Sequence, residues 1–183
     1  MNDSMNNTKS YLIYLVTSVA GLAGLLFGLD IGVISGALPF IKNHFFLSTG
    51  QESWIASTVL FGAALGAVMS AFISDWCGRR NSLIIAAILF GVTSIISSLA
   101  ESYILLLWTR FFLGISVGLA TYNAPLYLAE IAPSRMRGAL ISFYQLMITI
   151  GIVIAFLNDF IYTAGGDWRM SLGLIAIRAF IML

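Results

Sequence analysis

Asp30 stands in the stretch GLLFGLDIGVISGAL, residues 24–38, inside an apolar run that carries no other charge from about residue 11 to residue 38. A carboxylate in such a run costs roughly 2.5–3.5 kcal/mol on insertion scales, so it is paired or faces a wet cavity and by default marks a substrate or ion pathway. Arg110, in RFFLGISVGL, is a second charge within an apolar run, with Gly114 and Gly118 following at helical spacing. Counted from the outer ends of their runs at 1.5 Å per residue, Asp30 lies ~12 Å deep and Arg110 ~10 Å deep, so the two can meet at one level. At a separation of about 4 Å their attraction is on the order of 4 kcal/mol at an effective dielectric of 20, which offsets the insertion cost of one of them. The alternative is that Arg110 snorkels to the outer interface.

Three further constellations bear chemistry. Gln145, Ile148, Thr149 and Ile152 recur at i, i+3, i+4 and i+7, so one helical stripe offers an amide, a hydroxyl and two branched apolar groups. A polyhydroxylated ring needs an amide beside apolar surface, but a buried glutamine can equally bond a neighbouring helix. The segment SDWCGRRNSL places Asp75, Gly78, Arg79 and Arg80 in one tight connection. It reads either as a solvated loop or as a charge-locked hinge between neighbouring helices. PLYLAEIAPSRMRGAL then sets Glu130, Arg135 and Arg137 around Pro133, a second charged connection on the same side of the membrane. Thr93, Ser94, Ser97 and Ser98 carry hydroxyls of the kind that usually bond their own backbone.

The elements that must position these residues are membrane spans. Of the 183 residues 60% are hydrophobic and 9% charged, against about 25% charged in soluble domains. Apolar runs at about 11–38, 54–74, 82–100, 103–128, 138–158 and 168–183 predict an all-α, polytopic transmembrane bundle of six helices, preceded by a polar tail at 1–10. The first run is too long for the core of a signal peptide, so the N-terminus is expected to be retained. Lys9, Arg79, Arg80, Arg135 and Arg137 fall on one side, which makes that side, and both termini, cytoplasmic. Gly24, Gly28, Gly32 and Gly36, and again Gly62, Ala63, Gly66, Ala67 and Ser70, form small-residue faces for close helix packing. One cysteine, Cys77, excludes an intramolecular disulfide, and no Cys/His cluster is present for a metal. No cofactor is implied, the basic residues form no nucleic-acid patch, and no nucleophile and base occur together, which argues against an enzyme. Arg178 stands inside the sixth run, where the residues assign it no role.

Taken together, GLLFGLDIGVISGAL, SDWCGRR, RFFLGISVGL, PLYLAEIAPSRMRGAL, SFYQLMITIGI and WRMSLG resemble, in order and spacing, the consecutive signatures of the sugar-porter branch of the major facilitator superfamily. Within it the chain is similar to the N-terminal half of bacterial galactose and arabinose proton symporters. The resemblance implies transport of a monosaccharide, a hexose or pentose, by proton symport with alternating access, in a multi-pass protein of the bacterial inner membrane. It also implies three plus three helices related as inverted repeats, with the first and fourth as counterparts. Asp30 resembles the proton-coupling aspartate and Arg110 the arginine that pairs with it. Phe27 and Gln145 match sugar-contacting positions, with Ile148 and Ile152 as apolar lining. Asp75, Gly78, Arg79 and Arg80 match the cytoplasmic gate motif, and Glu130 and Arg137 its charge-network partners. The chain departs from the pattern at Trp76, where the family usually has a basic residue, at Ala71, where it has glycine, and at Arg178, in a helix the family keeps apolar. The expected partners are sugar, protons and the lipid bilayer. The resemblance covers only the family's first six-helix half, so two alternatives stand beside transport as expectations: a truncated, inactive remnant, and a half-transporter that pairs with a second half or a copy of itself.

Overall fold

A computed structural model describes the backbone of residues 2–162. Five helices follow in order: α1 (Asn2–Phe45), α2 (Thr49–Cys77), α3 (Arg79–Ser98), α4 (Tyr103–Ile131) and α5 (Arg137–Tyr162). Each is long and apolar enough to cross a bilayer, Ala20–Phe45 being the crossing part of α1. The sixth apolar run, 168–183, with Arg178, lies outside the described residues.

Local chemistry explains where the helices begin and end. α1 starts before its apolar run and continues through Pro39, and Lys42 and His44 sit in its last turn, where cations complement the carbonyl end of the dipole. Phe46, at φ +52°, ends it. α2 begins five residues ahead of its apolar run because Ser48 and Gln51 form a capping box: the Gln51 N–H donates to Ser48 Oγ at 3.4 Å and the Ser48 N–H donates to Gln51 Oε1 at 3.0 Å. A single residue, Gly78, joins α2 to α3. Its φ of +80° is one that side chains rarely adopt, while its N–H still donates to the Ser74 carbonyl and its own carbonyl accepts from the Ser82 N–H. Ser102 caps α4 by accepting from the Leu105 N–H at 3.2 Å. α4 stops at Ala132, which is extended (φ −70°, ψ 137°), as a residue before proline must be, with Pro133 next.

The packing repeats itself. α1 lies along α5 and α2 along α4, while α3 and α1 both flank α4. The pattern Gly-x3-Gly-x6-Pro occurs in α1 as Gly28, Gly32 and Pro39 and again in α4 as Gly114, Gly118 and Pro125. A Cβ on Gly28 would run into the Ile148 carbonyl of α5, and one on Gly114 into the Val59 carbonyl of α2. In the reverse direction, Gly151 of α5 meets the Leu25 carbonyl and Gly62 of α2 the Phe111 carbonyl. The α1·α5 and α4·α2 pairs thus share one register. With short connections between successive helices, α1 and α4 run in opposite directions, the geometry of an inverted repeat.

Burial follows a membrane pattern. One apolar cluster, including Leu29, Val33, Ile41, Ile55, Leu106 and Leu113, fills the half of the bundle that carries the α1–α2 turn. A second, with Ala20, Ala124, Leu128, Tyr144 and Ile148, fills the half that carries the α4–α5 connection. Large apolar groups such as Leu60, Phe61, Phe72 and Trp76 point outward, which lipid tolerates and water does not. Gly91 of α3 differs from the other buried helical glycines, since a Cβ there meets nothing within 4 Å. Gly91→Ala is therefore expected to stabilise the bundle by about 0.5–1 kcal/mol through lower chain entropy in the unfolded state and better helix propensity. Reversible unfolding in mixed micelles, read by helicity, measures it, and a loss of stability would show that α3 needs the gap.

Candidate functional site

α1 and α4 cross where each carries its charge. Arg110 Nη1 donates to Asp30 Oδ1 at 3.1 Å, and the two side chains are 0% and 4% exposed. Snorkelling of Arg110 is thereby excluded: its guanidinium stays inside the bundle. The pair bridges the two repeats, because α1 opens the first and α4 the second, and it ties the packed α1·α5 pair to the α2·α4 pair. Its desolvation is not fully offset, since Arg110 Nε and Nη2 find no acceptor among the described residues. Among the described residues, the hydrogen-bond partner of the Asp30 carboxylate is a single guanidinium nitrogen, a contact that one side-chain rotation can break.

The Gln145 stripe divides between two surroundings. Ile148 is buried at the α1 contact, where its backbone meets Gly28, and Ile152 and the half-buried Phe27 pack against the same cluster. Gln145 itself is exposed, and its side chain forms no hydrogen bond among the described residues. The alternative of a buried amide bonded to a neighbouring helix therefore fails. The Thr149 hydroxyl donates to the Gln145 backbone carbonyl at 3.2 Å. Phe27, Ile148 and Ile152 thus form one apolar wall with the free Gln145 amide beside it.

On the side that holds most of the arginines, Arg79 at the start of α3 donates through Nε to Glu130 of α4 at 2.6 Å and through Nη1 to Ser74 Oγ of α2 at 3.1 Å. The 75–80 connection is therefore a clasp joining three helices, rather than a free loop. Arg137 bonds the Ala132 carbonyl at 3.1 Å and so caps the end of α4 instead of joining Glu130. Asp75 and Arg80 are exposed and stand outside this set of bonds, and Trp76 is 91% exposed. Of the α3 hydroxyls, those of Thr93 and Ser98 bond their own backbone as expected, whereas Ser97 Oγ is buried without a partner among the described residues.

Two polar contacts escaped the reading of the residues. Lys42 and Glu52 pair at 2.6 Å across the turn between α1 and α2, a pairing that their opposite charges on either side of a short connection could have suggested. Asn123, wholly buried, donates to Ser70 Oγ at 2.8 Å. Its signal was an amide within GLATYNAPLYL, a stretch that carries no charge.

A family model described as sugar (and other) transporter matches residues 16–183. The chain belongs to that family. It is 51% identical over 172 residues to the galactose-proton symporter of Escherichia coli K12, covering 94% of this chain and 37% of that protein. It is 47% identical over 180 residues to the arabinose-proton symporter of the same strain, covering 98% of this chain and 38% of that protein. Among solved structures, the inward-open xylose transporter XylE from E. coli superimposes with a TM-score of 0.84 at 31% identity, over 93% of this chain and 46% of that one. The chain thus spans a little over a third of the length of the curated relatives it matches. The architecture is that of the major facilitator superfamily, in a multi-pass membrane protein.

Proposed function

We propose that these residues form the first helical bundle of a monosaccharide–proton symporter of the bacterial inner membrane, with the N-terminus cytoplasmic. The observation that carries this reading is the buried Asp30–Arg110 pair between the two repeats, together with relatives described as proton symporters of galactose and arabinose. Asp30 is the proton-coupling group and Arg110 its counter-ion. The sugar sits on the Phe27, Ile148 and Ile152 wall, with Gln145 donating to or accepting from ring hydroxyls. Arg79 and Glu130 form the working part of the cytoplasmic gate, Gly78 its hinge, and Asp75, Arg80 and Arg137 its margin. The sugar lies between this bundle and a second one, and the two rock about it in alternating access.

In this scheme protonation of Asp30 removes the charge that holds Arg110, frees α1 and α5 from α4, and couples proton entry to the change of access. Asp30→Asn, which keeps the shape and removes the titrating group, is expected to abolish sugar accumulation driven by an imposed pH gradient while leaving sugar exchange measurable. Uptake and counterflow by the complete two-bundle transporter in liposomes distinguish the two activities. Accumulation at the parental level by the Asn variant would remove Asp30 from the coupling step.

A further inference from the structure

Asn123 spends an amide where packing does not ask for one. It is 0% exposed on α4, its Nδ2 donates to Ser70 Oγ of α2 at 2.8 Å and to the Leu119 carbonyl at 3.1 Å, and its Oδ1 has no partner among the described residues. A buried acceptor left unsatisfied is a cost that an apolar side chain avoids. The repeat supplies an internal control. Asn123 lies two residues before Pro125 in the Gly-x3-Gly-x6-Pro pattern of α4, and the residue two before Pro39 in the same pattern of α1 is Ala37, 2% exposed. The same packing register is therefore built with alanine in α1.

What distinguishes α4 is the clasp beyond the proline. Pro125 has no N–H for the Thr121 carbonyl, so the backbone ladder is interrupted between Asn123 and the last turns that carry Glu130. Ser74, which accepts from Arg79, is one turn from Ser70 on α2, so Asn123–Ser70 and Glu130–Arg79–Ser74 are successive polar rungs between α4 and α2, with Pro125 between them. Buried asparagines in apolar helix seams are known to set register at a cost in stability.

We propose that Asn123 is a positioning residue of the cytoplasmic gate: its bond to Ser70 sets the register of α4 on α2 ahead of the Pro125 break and thereby places Glu130 against Arg79. The inference rests on the reading of Arg79–Glu130 as the gate and adds to it the group that aims it.

Cys77, the one cysteine of the chain and half-buried beside Gly78, is a natural reporter of that clasp. The experiment is the rate of maleimide labelling of Cys77 in membrane vesicles containing the parental protein, Glu130→Gln, Asn123→Ala, Ser70→Ala, and Glu130→Gln combined with Ser70→Ala. Ser70→Ala removes the same bond, together with the longer donation of Ser70 Oγ to the Leu119 carbonyl at 3.5 Å in the same rung, with almost no change of volume, so it serves where Asn123→Ala fails to insert. Glu130→Gln is expected to raise the rate roughly fivefold, the population shift of one ordinary hydrogen bond. Ser70→Ala and Asn123→Ala should raise it by a similar factor, and the combined variant no further than Glu130→Gln alone. Labelling at the parental rate in both rung variants, with Glu130→Gln raised, would overturn the positioning role. An additive combined variant would do the same, since independent effects mean that the rung does not act through Glu130. An unchanged rate in Glu130→Gln would instead overturn the gate reading itself.

Discussion

Asp30→Leu is expected to destabilise the bundle by about 3–5 kcal/mol, the loss seen when one member of a buried ion pair is removed. The reason is the state in which it leaves Arg110. That guanidinium is 0% exposed, and two of its nitrogens already lack acceptors among the described residues; guanidinium groups keep their charge in proteins. Arg110→Leu leaves a carboxyl group in the same place, but a carboxyl can discard its charge by binding a proton, so this variant should cost less. The double variant, Asp30→Leu with Arg110→Leu, removes both charges together and should recover most of the loss, because apolar replacements of a buried pair are often neutral or better. Unfolding of the four proteins in mixed micelles completes the thermodynamic cycle. Equal losses in the two single variants, or a double variant as unstable as their sum, would mean that the charges do not compensate one another. The cycle also separates stability from transport: a double variant that is stable but inactive would locate the need for the pair in function.

Gly28→Val and Gly114→Val are expected to be the most damaging substitutions at uncharged positions, and to be similar to each other. A Cβ at either glycine would lie far inside van der Waals contact with a facing backbone carbonyl, Ile148 in one case and Val59 in the other, and a backbone cannot move aside as a side chain can. The two helices must separate along their length. That forfeits van der Waals contact over several turns, so each variant should lose more than the 1–3 kcal/mol typical of overpacking a core. The similarity of the two losses is the sharper expectation, because it follows from the shared register of α1·α5 and α4·α2. Unfolding free energies compared for the pair check it. A tolerated Gly28→Val beside a destructive Gly114→Val would show that the α1·α5 seam is loose and the repeat is one of outline only. Gly50, where a Cβ meets nothing within 4 Å, is the matched control and should accept alanine without consequence.

The chain itself determined the class of protein and the level of the site. Apolar runs of spanning length can only be helices that satisfy their own backbone, so α1 to α5 were legible, as were the small-residue faces on which they meet. Asp30 and Arg110 were legible because charge within a span is costly and therefore rare. Helix ends were less so: α2 begins at a capping box of two polar residues, and α4 passes through Pro125 to stop only at Pro133, features that hydrophobicity does not register. Choice among partners required the tertiary structure. Spacing left Arg110 free to reach the interface and Gln145 free to bond another helix, since a helix presents both faces until its neighbours are placed. Close packing of α1 on α5 and of α2 on α4 then turned Arg110 inward to Asp30 and Gln145 outward. It also gave Glu130 to Arg79 and left Arg137 to cap α4, although sequence order allowed either arginine. Depth along a helix is written in residue number, whereas direction around it is decided by what packs alongside, and for that reason the Asn123–Ser70 bond is visible only in the folded bundle.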